Sequence, residues 1–484
     1  MNHRTSRQAG IGSRLFTGIA FTAVATAPFA QADKLVIEAG RIIQHSGAEI
    51  ENGVIVVEDG RILAIGPAGE VEKPWDAPVV GGPELVAFPG FIEAHSNRGM
   101  DRPNENIDVA PFLDVRDSID PINLYFEDCL RWGVTTINIQ QGNNTVVAAK
   151  GRVVHPIGMT VEEMTVRPNY GLKLSAAPKS GKSRATQAQA LRGAFDDLQR
   201  YLEDVVADAR QGGEKARREA LYQGRDMEGE KAEGRAMGGS TWKVDGLELI
   251  PRGAIDEKQE PLLELVEGRY DAFVWCGSPR DVHLAIEVAT DNGFLERTTL
   301  VVDDSCWKAA DTIAAAGVDV VLQGSQMHTE TDPVTGEETE TFVPAVFAEK
   351  GVRFALSSEN ASSNSLWFQA ARAVAHGLDR AAALDAVTTT PAAILGLEDQ
   401  LGSLEAGKLA NVLLLSGDPL SSQSWVEHAF IEGRHVYDRS EDVRNKYIFE
   451  GQQPLGAGSA APQGVEDDGG EEESDDDDED SDEK

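Results

Sequence analysis

Short apolar runs alternate with helical patterns throughout residues 88–396, and this alternation constrains the fold more than any other feature of the chain. Runs typical of buried strands stand at 85–88, 135–139, 272–276, 299–303, 318–322 and 352–356. Repeated strand-then-helix units predict an α/β fold, and this many in succession favour a closed (β/α)8 TIM-like barrel. An open doubly wound sheet is the alternative. Neither a G-x-G-x-x-G turn nor a phosphate-binding P-loop opens a helix in this sequence, which weakens that alternative.

Short β patterns flank this region on both sides. Residues 33–87 carry β-branched runs separated by turns, including Asp59-Gly60, a pair whose backbone tolerates the positive φ of a tight hairpin. Residues 401–450 carry further strand patterns. We therefore expect an N-terminal β segment over 33–87, the barrel over 88–400 and a C-terminal β segment over 401–450.

A long amphipathic helix is predicted within the barrel region. Apolar residues recur at helical spacing over 186–210, and Gly212-Gly213 predicts the end of that helix. A highly charged segment follows over 214–233. We predict a helical insertion at about 180–260, which is either a substrate lid or dimer arm at the barrel mouth or a peripheral extension.

The first 32 residues have the pattern of a secretory signal. Basic residues precede an apolar stretch, which ends at the small-residue site Ala30-Gln31-Ala32. An uncleaved membrane anchor is the competing interpretation, but the stretch is short for the roughly 20 apolar residues of a spanning helix. No later segment of the sequence is long and apolar enough to insert in a membrane. The mature chain is therefore predicted to be periplasmic or secreted.

The chain is strongly acidic, with 81 Asp and Glu residues against 44 Lys and Arg residues and a formal net charge of −37. Sequence-independent binding to nucleic acid or anionic lipid needs cationic patches, so we expect neither partner. Part of the excess lies in the run over 466–483, where like charges repel and nothing apolar is present to bury, so the tail over 451–484 is predicted to be disordered. The tail either captures Ca²⁺ weakly or attaches to a cationic partner, or it only adds solubility.

The chain has only three cysteines in 484 residues, which is too few for a framework of disulfides to hold the fold together. Cys276 and Cys306 follow two strand patterns that are consecutive in the predicted barrel. Neighbouring strands lie about 4.8 Å apart, so the loops after them can reach disulfide distance. We therefore predict a Cys276–Cys306 disulfide.

Several motifs resemble the amidohydrolase superfamily. The run Ala87-Phe-Pro-Gly-Phe-Ile-Glu-Ala-His-Ser-Asn97 is similar to its first barrel strand, and residues 388–411 are similar to its closing signature. Gly133-Val-Thr-Thr-Ile-Asn-Ile resembles a further strand of the family. Gly158-Met-Thr-Val-Glu-Glu-Met and Gly171-Leu-Lys resemble exported members related to imidazolonepropionase. The resemblance covers most of residues 33–440 and implies that both β segments form one composite β-sandwich beside the barrel.

The resemblance also implies a metal centre at the barrel mouth. In the family, side chains on the first strand and on later strands hold a divalent ion, which activates a water to attack an amide-like C–N bond. His95 stands at the first ligand position, and Asn97 replaces the second histidine of the pair. Asp303 and His155 complete the predicted ligand set, with His155 near the place where related exported members carry a lysine.

The remaining predicted site residues follow later strand patterns. Glu359 is the acid nearest to the position of the usual aspartate on the last strand, and we predict acid–base roles for it and for Asp304. Cys276 stands where family members carry a histidine, and Ser358 stands near the usual aspartate. We predict that these two residues contact the substrate.

Two functions remain open at this point. The first is a metal-dependent amidohydrolase that acts on a small molecule at a C–N bond other than an ordinary peptide bond. Its ion would be Zn²⁺, or Mn²⁺ or Mg²⁺ because the predicted ligands are rich in oxygen. In the alternative, His95 and Asn97 only hydrogen-bond in a polar barrel mouth, no metal binds, and the chain is an exported binding module for a small molecule or a protein. A homo-oligomer is compatible with either function.

Overall fold

The structure, a computed structural model, describes residues 34–45, 48–222, 250–359 and 365–450, together with residues 244 and 247. The predicted signal segment and the predicted acidic tail lie outside these residues, as does most of the charged segment after the long helix. Across the described ranges, no helix combines the length and the apolar character needed to cross a bilayer.

The strands are β1 (Lys34–His45), β2 (Ala48–Glu58), β3 (Arg61–Pro67), β4 (Val79–Pro89), β5 (Phe91–Ser96), β6 (Val134–Ile139), β7 (Val147–Lys150), β8 (Arg152–Val154), β9 (Thr165–Arg167), β10 (Leu172–Ser175), β11 (Ala272–Cys276), β12 (Thr298–Val302), β13 (Asp319–Leu322), β14 (Met327–Thr331), β15 (Glu338–Phe342), β16 (Phe354–Leu356), β17 (Val412–Leu415), β18 (Val426–Ile431) and β19 (Arg434–Asp438). The α-helices are α1 (Leu124–Arg131), α2 (Val161–Met164), α3 (Arg184–Tyr222), α4 (Glu260–Val266), α5 (Pro279–Asp291), α6 (Ala310–Ala316), α7 (Val343–Glu349), α8 (Leu366–Ala375), α9 (Arg380–Asp385), α10 (Thr389–Ile394) and α11 (Val443–Glu450).

Strands from both chain ends form one composite sheet, in the order β19-β18-β17-β4-β1-β2-β3. The join between the two ends is the antiparallel pairing of β17 with β4, in which Val412 faces Pro89 and Leu415 faces Val86. Apolar residues from both ends fill one buried cluster, which includes Ile37 and Phe430. Both chain ends thus contribute strands to one composite sheet, as predicted.

The barrel region contains the predicted parallel strands in two sheets, except that the predicted run at 85–88 belongs to β4 of the composite sheet and the first barrel strand is β5. β5 pairs with β6, and β10, β11, β12, β13 and β16 pair successively in parallel. β7 and β8 bridge the two sheets because β8 pairs antiparallel with β6 and β7 pairs antiparallel with β10. The ring of barrel strands closes between β16 and β5, where the Ser357 hydroxyl lies 3.5 Å from the His95 carbonyl oxygen. The predicted (β/α) barrel is confirmed, with one antiparallel segment in it.

The long helix α3 packs on the barrel wall and runs past its predicted end. Its first half lies on the outside of the barrel, where Phe195 stacks on Phe294 with ring centroids 5.5 Å apart and Arg192 pairs with Glu287 of α5. This half occupies the place of a helix that follows β10 in the barrel, and the predicted insertion at about 180–260 stays a prediction. The helix also continues through Gly212-Gly213, because a glycine weakens a helix by only about 1 kcal/mol and does not forbid it.

The predicted disulfide is also wrong. Cys276 and Cys306 are free thiols, as is Cys129. The Cys306 thiol donates to the backbone carbonyl of Cys276, with Sγ and O 3.2 Å apart. The two loops are close enough for contact, as expected for neighbouring strands, but Cys306 is turned toward the main chain of Cys276 and not toward its sulfur.

Candidate active site at the barrel mouth

Three ionisable side chains from distant parts of the sequence meet inside the barrel. His95 lies near the carboxyl end of β5, Lys173 lies on β10, and Glu359 follows β16. Lys173 Nζ lies 2.7 Å from His95 Nε2, and His95 Nδ1 lies 2.9 Å from Glu359 Oε2. We call this group the Lys173–His95–Glu359 cluster. Parallel strands bring their carboxyl ends to one rim, so residues far apart in sequence meet there.

Further donors fix the carboxylate of Glu359. The backbone N–H of Asn97 donates to Glu359 Oε1 at 3.1 Å, and the side-chain amide of Gln323 donates to Oε2. Asn143 in turn donates from Nδ2 to Gln323 Oε1 at 2.7 Å. Both oxygens of Glu359 are thus bonded, which favours the ionised form of the group.

The electrostatics of the cluster follow from burial and mutual contact. Burial lowers the pKa of Lys173 to about 7, although the nearby Glu359 acts against this shift. Burial and the positive charge of Lys173 lower the pKa of His95, so the ring is neutral at neutral pH. Burial alone would raise the pKa of Glu359, but His95 and Lys173 outweigh it and hold that pKa below its ordinary value. At neutral pH the cluster therefore combines a carboxylate, a neutral imidazole and a lysine close to its midpoint.

A second buried carboxyl group, that of Glu93, lies beside the cluster on the same strand as His95. Ser358 donates to Glu93 Oε2 from its hydroxyl at 2.6 Å and from its backbone N–H at 3.0 Å. Burial raises the pKa of Glu93 to about 7. Within the described chain, Glu93 Oε1 is buried and has no hydrogen-bond partner. Ser358, which was predicted to contact the substrate, therefore hydrogen-bonds the carboxyl group of Glu93 in this structure.

The two aspartates of the predicted set take part in a different local structure. Asp303 Oδ1 accepts from the backbone N–H of Asp304 at 2.9 Å and begins the short helical turn after β12. Asp304 Oδ2 lies 3.5 Å from His328 Nδ1, on the hairpin of β14 and β15. The contacts of these two side chains therefore join the turn and the hairpin, and the structure does not bring either into the Lys173–His95–Glu359 cluster.

His155 lies at the other end of the barrel strands. Its Nδ1–H donates to the Thr135 carbonyl at 2.7 Å, and its Nε2 lies 3.6 Å from Glu432 Oε1 in the turn between β18 and β19. Because β8 runs antiparallel to β6, the residue after β8 falls beside the amino end of β6. The structure thus separates His155 from His95 and places Lys173 in the cluster.

Asn97 and Cys276 lie at the site, but in other roles than those predicted for them. Asn97 contributes its backbone N–H to Glu359, as described above, and the structure gives no metal-binding role to its side-chain oxygen. Cys276 is fully buried at the end of β11, and burial raises the pKa of its thiol well above the ordinary value. The thiol therefore stays protonated beside Lys173.

Sequence reasoning missed Lys173, Gln323 and Asn143. Lys173 could have been predicted as a site residue, since it is the lysine of the Gly171-Leu-Lys motif that resembles exported members of the superfamily. No sequence pattern pointed to Gln323 or Asn143, because they lie in the loops after β13 and β6, which carry no recognisable motif.

The donor set of the cluster fits one divalent ion if Lys173 loses its proton and its Nζ moves away from His95 Nε2, because two ligand atoms of one tetrahedral ion lie about 3.3 Å or more apart and these two lie 2.7 Å apart. Histidines that bind metals commonly donate their other ring N–H to a carboxylate, as His95 does to Glu359. His95 Nε2 is then the ligand atom, and Lys173 Nζ is a second nitrogen donor whenever the lysine is deprotonated, which a pKa of about 7 permits. Asn143 Oδ1, next to Gln323, is buried without a hydrogen-bond partner among the described residues and is an available oxygen. In that same part of the chain, no third His, Cys, Asp or Glu ligand atom joins His95 and Glu359 at close range.

Comparison with known proteins shows what this chain resembles. Residues 269–437 match the model of the Amidohydrolase family. The structure resembles an amidohydrolase from Thermotoga maritima MSB8 with a TM-score of 0.63 and 22% identity, over 84% of this chain and 100% of that chain. A 68-residue segment is 37% identical to 5-methylthioadenosine/S-adenosylhomocysteine deaminase of Moorella thermoacetica (strain ATCC 39073 / JCM 9320), over 14% of this chain. That segment spans only 16% of the length of the deaminase.

A barrel with a composite sheet beside it, and polar side chains gathered inside the barrel, defines a class of α/β-barrel proteins. Within that class, residues 269–437 of this chain resemble the Amidohydrolase family, and the fold resembles that of the amidohydrolase from Thermotoga maritima MSB8.

Proposed function

We propose that this protein is a metal-dependent hydrolase that acts on a small molecule at a C–N bond other than an ordinary peptide bond. The observation that carries the proposal is the meeting of His95, Lys173 and Glu359 inside the barrel of an amidohydrolase fold. Export to the periplasm or the medium, and a homo-oligomeric state, remain predictions from the sequence.

His95 Nε2 and Lys173 Nζ would hold the ion, with Asn143 Oδ1 as a further oxygen donor. When bound, a divalent ion lowers the pKa of a water and polarises the substrate carbonyl. Zn²⁺ suits the two nitrogen donors better than Mg²⁺, which prefers oxygen ligands. The preference for Mn²⁺ or Mg²⁺ drawn from Asp303 and Asn97 therefore loses its basis.

The protein's own groups would divide the remaining work. Glu359 keeps the proton on His95 Nδ1 and so directs the lone pair of Nε2 toward Lys173. We assign acid–base chemistry to Glu359 in preference to Asp304, because Glu359 contacts His95 and Asp304 faces His328. Glu93, with a pKa near 7, is a second group able to exchange a proton near neutral pH.

One observation favours the alternative of a binding module without turnover. The side chains of His95 and Glu359 are 0% and 3% exposed, and Lys173 is 0% exposed, so the cluster is closed to solvent. A protonated Lys173 would donate to His95 Nε2 and offset the negative charge of Glu359, so the cluster would be satisfied without an ion. The two functions thus differ in one respect that can be measured, which is whether an ion displaces the proton of Lys173.

Metal content and hydrolysis test the proposal together. Untagged protein purified without chelator should carry about one equivalent of Zn²⁺ at this site and hydrolyse a member of a panel of small amides, cyclic amides and amidines. Lys173→Met, which keeps the side-chain length, should lose the equivalent and the activity. Lys182→Met is the matched control, since Lys182 is a surface lysine paired with Asp108.

The binding-module alternative makes the opposite prediction. Metal below about a tenth of an equivalent, with no thermal shift on adding Zn²⁺, Mn²⁺ or Co²⁺, would favour it. Metal content equal in wild type and Lys173→Met would place any bound ion elsewhere and refute the assignment of the site.

A further inference from the structure

A second group of metal-ligand side chains lies on the composite sheet. His428 is on β18, and His435 and Asp438 are on β19, the edge strand of that sheet. One ligand atom from each of the three residues lies within 4.8 Å of the others. This group shares no residue with the Lys173–His95–Glu359 cluster.

An irregularity in the strand pairing brings the three side chains together. His428 is paired with Asp438, and Phe430 is paired with His435, so the register shifts between Ala429 and Phe430. β19 therefore has one more residue than β18 between these two pairs. Side chains alternate between the faces of a strand, so without the shift His435 and Asp438, three residues apart, would point to opposite faces. The bulge turns His435 to the face that carries Asp438 and His428.

Two of the three separations lie within a few tenths of an ångström of those between ligands around a tetrahedral ion, and all three ligand atoms lie within 4.8 Å of one another. His428 Nδ1 lies 3.1 Å from His435 Nε2 and 3.7 Å from Asp438 Oδ2. Two ligand atoms about 2.0–2.2 Å from a tetrahedral Zn²⁺ are about 3.3–3.6 Å apart. Movements of a few tenths of an ångström would place both contacts at that separation.

Neighbouring groups hold two of the three ligands in place. The His435 ring stacks on Phe430, with centroids 4.8 Å apart and an interplanar angle of 20°. Asp438 Oδ1 accepts from the backbone N–H and the hydroxyl of Ser440 at 2.8 and 2.6 Å, which leaves Oδ2 directed toward His428. Fixed partners of this kind orient metal ligands in known sites.

We propose that His428, His435 and Asp438 form a Zn²⁺ site at the edge of the composite sheet, with solvent as the fourth ligand. The side chains of His428 and Asp438 are 23% and 29% exposed, so an ion and a water can reach them. Two imidazoles and one carboxylate are a donor set that Zn²⁺ favours. The bound ion would link β18 to the edge strand β19 and stabilise the turn between them.

Zinc stoichiometry tests this site independently of the barrel. All proteins are untagged full chains with Lys173→Met, which removes the lysine donor of the barrel cluster. After equilibrium dialysis against micromolar Zn²⁺, His435→Ala should contain about one equivalent less than its parent. Asp438→Asn, which keeps an oxygen for Ser440, should show the same loss if His435→Ala folds poorly. His283→Ala is the matched control because His283 is an exposed histidine on α5.

Spectroscopy supplies a second readout. Co²⁺ in place of Zn²⁺ should give the visible absorption of a tetrahedral nitrogen and oxygen site in the parent and in His283→Ala, but not in His435→Ala. Equal zinc content and equal Co²⁺ spectra in the parent and His435→Ala would overturn the proposal. The contact between the two histidines would then be an ordinary hydrogen bond. The barrel proposal would be unaffected by that outcome, since it depends on the loss caused by Lys173→Met.

Discussion

Truncation of Phe195 tests whether α3 is a structural helix of the barrel. Phe195 is 2% exposed and stacks on Phe294, which is also 2% exposed. Phe195→Ala removes a ring from a packed interior, so both the transfer free energy and the cavity left behind oppose folding. Substitutions of this kind cost about 3–5 kcal/mol, of which the aromatic pair itself accounts for about 0.5–1.5 kcal/mol.

Urea denaturation followed by far-ultraviolet circular dichroism and by tryptophan fluorescence measures this cost. Gln199→Ala, one turn further along the exposed face of the same helix, is the control and should change the free energy of unfolding by about 0.5 kcal/mol or less. A cost below about 1 kcal/mol for Phe195→Ala, or one equal to that of the control, would refute the assignment of α3 to the barrel wall. A helix acting only as a lid would instead leave stability unchanged and alter turnover.

Two further predictions concern single contacts. Asp442→Asn should destabilise the fold by about 1.5–3 kcal/mol at neutral pH, because Asp442 Oδ2 accepts a charge-assisted hydrogen bond from Arg131 Nε at 2.7 Å. Burial raises the pKa of Asp442, but Arg131 outweighs burial and holds this pKa below its ordinary value. The stability that the contact contributes is therefore present above the unfolded pKa of about 3.9 and is lost as the pH falls through the folded pKa. Urea titrations near pH 3 that still show the full difference between variant and wild type would contradict this prediction. Gly90→Ala should cost about 1–3 kcal/mol in the same assay, because a Cβ at Gly90 would lie 2.0 Å from Thr135 Oγ1. Thr135→Ala should recover part of that loss, and simple additivity of the two substitutions would argue against the clash.

The order of strands and helices was accessible from the sequence because it depends on local pattern. The apolar runs at 272–276 and 299–303 overlap β11 and β12 almost residue for residue. The glycine pair at 212–213 misled, because glycines weaken a helix without forbidding it and α3 continues through them to residue 222. The antiparallel β7 and β8 gave no signal, since strand direction is set by pairing partners.

Part of the candidate site was accessible for the same reason. His95 and Glu359 stand in or beside motifs that occupy fixed places on the first and last barrel strands. Asp303 and Asp304 also follow a strand, but the first backbone N–H of the next turn captures the Asp303 carboxylate. Whether a side chain points into the mouth or caps its own turn depends on a few backbone angles, and composition and spacing do not encode them.

The sequence by itself determined the family resemblance, the strand-and-helix order and two members of the cluster, His95 and Glu359, because each is written in short motifs and hydrophobic periods. Tertiary structure alone decided which groups touch: Lys173 meets His95 across 78 positions, and Glu359 meets it across 264. It also decided that a shifted register gathers His428 and His435. Such contacts depend on strand neighbours, strand direction and register, which are properties of the assembled sheet and not of any local stretch of chain.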